Sequence, residues 1–215
     1  MTSTVGIRGP RGSYAKTKER RQSIAQAALD LILEHGHRAL ITADVARKTG
    51  LSEPGVLYHF PTKDDLLLAA LRLSDEFEWS TMPLGESVRK APERAAESLK
   101  RINIVRLHTA MFGESSDPSH PAHKYFKERW REGDRRMTES IRRFQAVGVI
   151  DESVDPRQAS RWIHTAWEGL QLQWLAEPDF DIETELRQLI ERVLGVNMCE
   201  IDDEAGTSAS KSGRA

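Results

Sequence analysis

Residues Thr42–Phe60 read TADVARKTGLSEPGVLYHF, and the spacing inside this stretch decides the fold. Thr42 is placed to cap a short helix whose inner face is Val45 and Ala46. Gly50 supplies a tight turn, where a left-handed backbone excludes most side chains. Ser52 caps a second short helix, and Pro54 falls in its first turn, where a missing N–H does no harm. Ala46 is small where two helices cross closely, while Val45, Leu51 and Val56 make the buried seam. Thr62, with Asp65 three residues on, forms a capping box that opens the helix KDDLLLAAL. Small residue, turn glycine and second helix at this spacing predict two helices joined by a short turn.

Outward from this stretch the chain also reads as helix. Ile24, Ala28, Leu31 and Ile32 follow the 3.6-residue period from Tyr14 onward, and Gly36 ends that segment. Proline and glycine clusters separate further helical segments near 63–80, 92–114, 122–147, 156–176 and 182–195. No run of alternating β-branched residues appears, so an all-α fold is expected. The expected organisation is a basic flexible arm over 1–15, a three-helix head over 16–62, a larger helical body over 63–198 and a disordered tail over 199–215.

The charge distribution agrees with this division. The 215 residues carry net −2, yet residues 1–64 hold ten Lys/Arg against six Asp/Glu, net +4, leaving net −6 for the rest. Arg8, Arg11, Lys16, Lys18, Arg20 and Arg21 face only Glu19 in the first 21 residues. A basic end on a mildly acidic protein suits a phosphate-bearing partner. One cysteine excludes a disulfide framework and a Cys-rich zinc module, and points to a reducing cytoplasm. No stretch approaches the ~18 uninterrupted apolar residues of a membrane span. The opening residues lack the apolar run of a secretory signal.

Residues 16–71 resemble the DNA-binding domain of the TetR family of transcriptional regulators. The first helix ending in HG, the segment ITADVARKTGLSEPGVLYHF and the continuation PTKDDLL carry the resemblance. It implies that the helix Glu53–Phe60 enters the major groove of double-stranded DNA, with Glu53, Pro54 and Gly55 nearest the bases. Glu53 accepts from cytosine N4, and Pro54 or Val56 packs on a thymine methyl. Thr42, Tyr58, His59 and Lys63 face phosphates. Phe60 and Leu57 read as core. The family often has Tyr where this chain has Leu57, so Arg8 and Arg11 of the arm are candidates to reach a minor groove in compensation.

In the body, PRQASRWIHTAWEGLQLQWLA (156–176) carries a stripe of Ala159, Ile163, Ala166, Leu170 and Trp174, widened by Trp162 and Trp167. The last segment adds Leu186, Ile190 and Val193 on a broad apolar face. Two such helices and their symmetry copies predict a four-helix homodimer interface through Trp162, Ala166, Leu170, Trp174, Leu186, Ile190 and Val193. A two-fold dimer would read the half-sites of a palindromic operator ~34 Å apart. The resemblance further implies a small-molecule effector in the body. Bulky residues with polar tips are its candidate lining: Asn103, His108, Met111 and Phe112, then Trp130 and Met137, then His164, Trp167 and Gln171.

An enzyme is the competing class, together with a metal-binding or protein-interaction helical module. His108, Glu114, Asp117, His120 and His123 cluster in sequence, but Pro121 interrupts any helix that would align HPAH. No GxSxG, P-loop or Gly-rich dinucleotide turn is present, and Cys199 has no basic neighbour to lower its pKa. No catalytic residue, metal or cofactor is expected. The expectation is a cytoplasmic, ligand-responsive DNA-binding repressor.

Overall fold

The computed structural model describes residues 10–83 and 85–202, and among these the regular structure is helical with no strand. The chain divides into two compact units between Glu76 and Phe77. In the first unit α1 (Pro10–His35), α2 (Thr42–Thr49) and α3 (Glu53–His59) precede α4 (Lys63–Thr81), within which the division falls. The second unit holds α5 (Ser87–Leu99), α6 (Ile102–Glu114), α7 (Ala122–Ala146), α8 (Pro156–Ala176) and α9 (Ile182–Leu194).

The head is built as its sequence demands. Ile24, Ala28 and Ile32 of α1 are buried with Leu40, Val45, Ala46, Val56 and Phe60. Gly50 adopts φ 67°, ψ 26°, and the amide of Leu51 returns to the carbonyl of Ala46 at 2.9 Å. Any side chain here pays the left-handed penalty, so the turn selects glycine. Ser52 Oγ accepts from the amide of Gly55 at 3.2 Å, capping α3. Thr62 and Asp65 hold each other reciprocally, each backbone amide donating to the other side chain at 3.1 Å. Thr42 is not a cap: Ile41 occupies that position without a side-chain bond, and Thr42 is the first residue of α2.

In the second unit α9 packs on α5 and α8, and α7 packs on α5, α6 and α8. Their shared core holds Ile141, Phe144, Ile163, Leu186, Ile190 and Leu194, all essentially inaccessible to water. Each such side chain contributes about 1.5–3 kcal/mol by burial. The segment expected as one helix over 92–114 is two, α5 and α6, joined through Lys100 and Arg101. The amides of those two residues close tight turns on Glu97 and Ser98, a break that no glycine or proline announces. Helix α5 also starts before its Pro92. One of its early amides finds its partner on another helix: Ser140 Oγ of α7 accepts from Val88 N–H at 3.1 Å and donates to the Gly85 carbonyl at 2.7 Å.

Both ends depart from the expected organisation. Helix α1 begins at Pro10, so residues 10–15 of the expected arm have helical backbone, while residues 1–9 lie outside the described residues. A short helical segment over 198–202 follows α9, and its Met198 and Ile201 are buried in the core. The expected tail therefore starts too early at 199, because Ile201 has apolar surface to hide; residues 203–215 lie outside the described residues.

Candidate nucleic-acid interface and effector site

On α3 the exposed residues are Glu53, Pro54, Leu57 and Tyr58. At 100° per residue these four fall on one face of the helix. Tyr58 is 82% exposed and Leu57 44% exposed, large groups that their own chain does not cover. Gly55 is half-buried, and an added Cβ would stand 3.3 Å from Ser52 Oγ, so its missing side chain serves the cap as well as any approach of DNA.

Two residues exchange roles relative to the sequence reading. Val56, expected at a thymine methyl, is 0% exposed and belongs to the core; it points back from the face that carries its neighbours. Leu57, expected in the core, stands on the exposed face. An apolar residue on a seven-residue helix defaults to the core in any pattern reading, and only the phase set by Val56 and Phe60 reveals otherwise.

The flanking groups are held in place. His59 is half-buried, its ring edge-on to Tyr58 with centroids 5.2 Å apart. Its backbone carbonyl accepts from Arg21 of α1, whose guanidinium carbon lies 4.2 Å from the Phe60 ring centroid. Lys63, exposed at the first turn of α4, donates one of its protons to the Arg38 carbonyl at 3.3 Å. Thr42 is half-buried at the start of α2. Arg8 and the side chain of Arg11 lie outside the described residues. Sequence reading missed Arg21 as a positioning group, since its partner ring is far along the chain.

In the second unit the structure brings three of the expected lining residues together. His108 stacks on Phe112 at 6.2 Å, and Phe112 tilts against Trp130 at 5.3 Å. Phe126, not anticipated, completes the group, 5.1 Å from His108 and 5.4 Å from Phe112. Glu168 of α8 and Arg129 of α7 were also missed: Glu168 Oε2 lies 3.6 Å from His108 Nδ1, and its Oε1 lies 3.9 Å from Arg129 Nη1. His108 is 6% exposed, and neither ring nitrogen makes a hydrogen bond. Burial, and secondarily the Arg129 charge, hold its pKa well below the usual imidazole value, so the ring is neutral.

The other expected lining residues are placed differently. Met137 is buried in the main core of the second unit. Gln171 is buried and donates to Ser98 Oγ at 3.0 Å. His164 Nδ1 lies 2.9 Å from the Ser160 carbonyl, and Ser160 Oγ donates to Asp134 at 2.8 Å, joining α7 to α8. Met111 is buried, Asn103 is half-buried, and Trp167 packs partly buried against the core.

The expected dimer residues divide as sharply. Leu186 and Ile190 are fully buried within the protomer, because the apolar face of α9 is consumed by α5 and α8. They are core, not interface. Trp162 is 52% exposed, and Ala166, Leu170, Trp174 and Val193 are half-buried. Where the 115–121 loop meets α7, His123 Nδ1 of α7 lies 2.9 Å from the Ser115 carbonyl and His120 Nδ1 accepts from the Ala122 amide at 3.2 Å. Among the described residues, no three His, Cys, Asp or Glu side chains are grouped to hold a metal, and no helix is long and apolar enough to cross a membrane.

A helix-turn-helix head with an exposed second helix, followed by a separate helical unit, defines an all-α helix-turn-helix protein of two units. Residues 24–70 match the family model of bacterial regulatory proteins of the tetR family. The HTH-type transcriptional regulator PksA of Bacillus subtilis (strain 168) is 36% identical over 59 residues, a match covering 27% of this chain and 29% of that regulator. The fold likeness extends much further. A putative transcriptional regulator from Saccharomonospora viridis, solved in complex with choline, aligns with a TM-score of 0.64 at 23% identity, over 81% of this chain and 95% of its own. A TetR transcription regulator from Haloarcula marismortui ATCC 43049 aligns with a TM-score of 0.67 at 19% identity, over 83% and 97%. The match to the tetR family is carried by residues 24–70, the helix-turn-helix head, while over most of the chain the likeness to these regulators is one of fold.

Proposed function

We propose that the protein is a homodimeric repressor that binds a palindromic operator and releases it when a small molecule enters the helical unit. The observation that carries the reading is the uncovered face of α3, where Glu53, Pro54, Leu57 and Tyr58 stand together on a capped, rigidly turned helix. Laid in the major groove, that face offers a carboxylate for cytosine N4 and apolar surface for thymine methyls. Tyr58, His59 and Lys63 take phosphates, which set register and supply the salt-dependent part of the affinity.

Release is a population shift. An effector favours the arrangement of the dimer whose heads no longer match the half-sites, by as much as its affinities for the two arrangements differ. The choline complex of the Saccharomonospora viridis regulator supports a small-molecule role for proteins of this fold. In this chain the aromatic group around His108 is the region where we place the effector.

Fluorescence anisotropy tests the reading. Protein is titrated at about 0.15 M salt into DNA from upstream of its own gene and into scrambled DNA of equal length. A preference of ~10³ or more for the native fragment establishes a specific regulator. Absence of binding to either fragment at low salt overturns it.

A further inference from the structure

The polar set at His108 selects among effectors. Its ring is enclosed by Phe112 and Phe126, and the aromatic row ends at Trp130, which is 52% exposed. Both ring nitrogens are buried without a hydrogen-bond partner. A buried polar atom left unpaired costs as much as a lost hydrogen bond, so a native protein seldom keeps one without a purpose. Of the two nitrogens, Nδ1 faces Glu168 Oε2 at 3.6 Å. A carboxylate on that side favours the tautomer with the proton on Nδ1, which leaves Nε2 an acceptor awaiting a donor.

Charge narrows the class. Glu168 is anionic and lies 3.9 Å from the cationic Arg129, while the imidazole is neutral. The set sums to zero, and Arg129 offsets the attraction that a carboxylate beside aromatic rings would exert on an organic cation. An anion meets Glu168. A neutral planar molecule bearing one O–H satisfies Nε2 and stacks among the rings without leaving a charge unpaired.

We infer that the helical unit takes a neutral phenol-type ligand, which parts the aromatic row from its exposed end at Trp130 so that its hydroxyl donates to His108 Nε2 and its ring packs against Phe112 and Phe126. This rests on the effector reading above, but its test needs no DNA. The full-length protein is titrated with 4-ethylphenol, with 4-ethylanisole, which has the same shape but no O–H, and with choline, following tryptophan fluorescence and the thermal midpoint. Saturable binding of 4-ethylphenol is expected, with the ether weaker by about tenfold, the worth of one neutral hydrogen bond. The His108→Leu variant should bind both probes alike, at the affinity wild type shows for the ether, and His108→Gln, which keeps an acceptor, should restore part of the preference.

Equal affinity for phenol and ether in the wild type overturns the proposal without any variant having to fold. So does saturable binding of choline in preference to the phenol, or no saturable binding of 4-ethylphenol. Operator displacement is measured separately. A phenol that binds but leaves the operator occupied keeps this inference and removes the release mechanism.

Discussion

The guanidinium carbon of Arg21 sits 4.2 Å from the centroid of the Phe60 ring. The same guanidinium donates to the carbonyl of His59, so one residue of α1 holds both the last residue of α3 and the one that follows it. A planar cation suits the two tasks at once, stacking on a ring and reaching a carbonyl in its own plane. Replacing Arg21 with Ala should cost about 1 kcal/mol in this exposed setting. For a domain of this size that lowers the head's thermal midpoint by about 4–8 °C. Arg21→Lys, which keeps charge but not the fork, should fall between. Identical melting of all three proteins would show that the clamp does not hold α3.

Val56 and Leu57 are neighbours with opposite duties. Val56→Ala opens space in the head core and should destabilise by about 1–3 kcal/mol, read as a lower urea midpoint. Leu57→Ala removes an exposed group and should leave stability within about 0.5 kcal/mol. On the proposed reading its effect is on DNA: operator affinity should fall about tenfold or more while affinity for scrambled DNA is kept, as expected of a group that meets bases and not phosphates. Loss of stability in Leu57→Ala with no change in selectivity would return Leu57 to the core.

That pair also shows where sequence reading reaches and where it stops. Gly50, Ser52 and the Thr62–Asp65 box are legible because each acts on backbone within three or four residues, and their geometry is as expected. Helix existence is legible for the same reason. The facing of Leu57, the depth of Leu186 and the break at Lys100–Arg101 depend on residues far along the chain, so local pattern does not reveal them. The Arg21–Phe60 and His108–Glu168 pairings are of this kind, since each joins different helices.

Gly133 of α7 has His164 of α8 lying over it: a Cβ there would stand 3.1 Å from His164 Nε2. The imidazole cannot easily retreat, because its other nitrogen lies 2.9 Å from the Ser160 carbonyl. In an open helix Gly→Ala stabilises by about 0.8–1 kcal/mol. Here Gly133→Ala should destabilise instead, the crowding outweighing propensity. In a His164→Ala background the same change should stabilise, and this reversal of sign in a double-mutant cycle is the test. A stabilising Gly133→Ala in the wild type would mean that His164 moves freely.

The buried His108 and the half-buried His164 make stability depend on pH. His108 is held well below its ordinary value of 6.5 by burial and then by Arg129. His164 is lowered from 6.5 by burial first, against the opposing bond to Ser160. The folded protein thus binds fewer protons at these sites than the unfolded chain. Their contribution is fully present above pH 6.5 and is lost as pH falls from there through the folded values. Urea midpoints should decline from pH 7.5 to pH 5, and His108→Leu should decline less steeply than wild type. Parallel curves for the two proteins would show that His108 is protonated in the folded state.

Trp162 and Leu186 separate association from folding. Leu186 is enclosed by its own chain, so Leu186→Ala should cost about 2–5 kcal/mol of protomer stability. Trp162 presents an indole to solvent on α8, beside the half-buried Ala166. If that surface meets a second copy, Trp162→Ala removes an anchor of the kind that dominates interfaces. Sedimentation should then shift toward monomer at micromolar concentration while the far-ultraviolet circular dichroism stays that of the wild type. Operator affinity should fall with it, because two heads on one DNA bind as a linked pair and separated heads do not. An unchanged sedimentation profile for Trp162→Ala would place the dimer contact elsewhere than this face of α8.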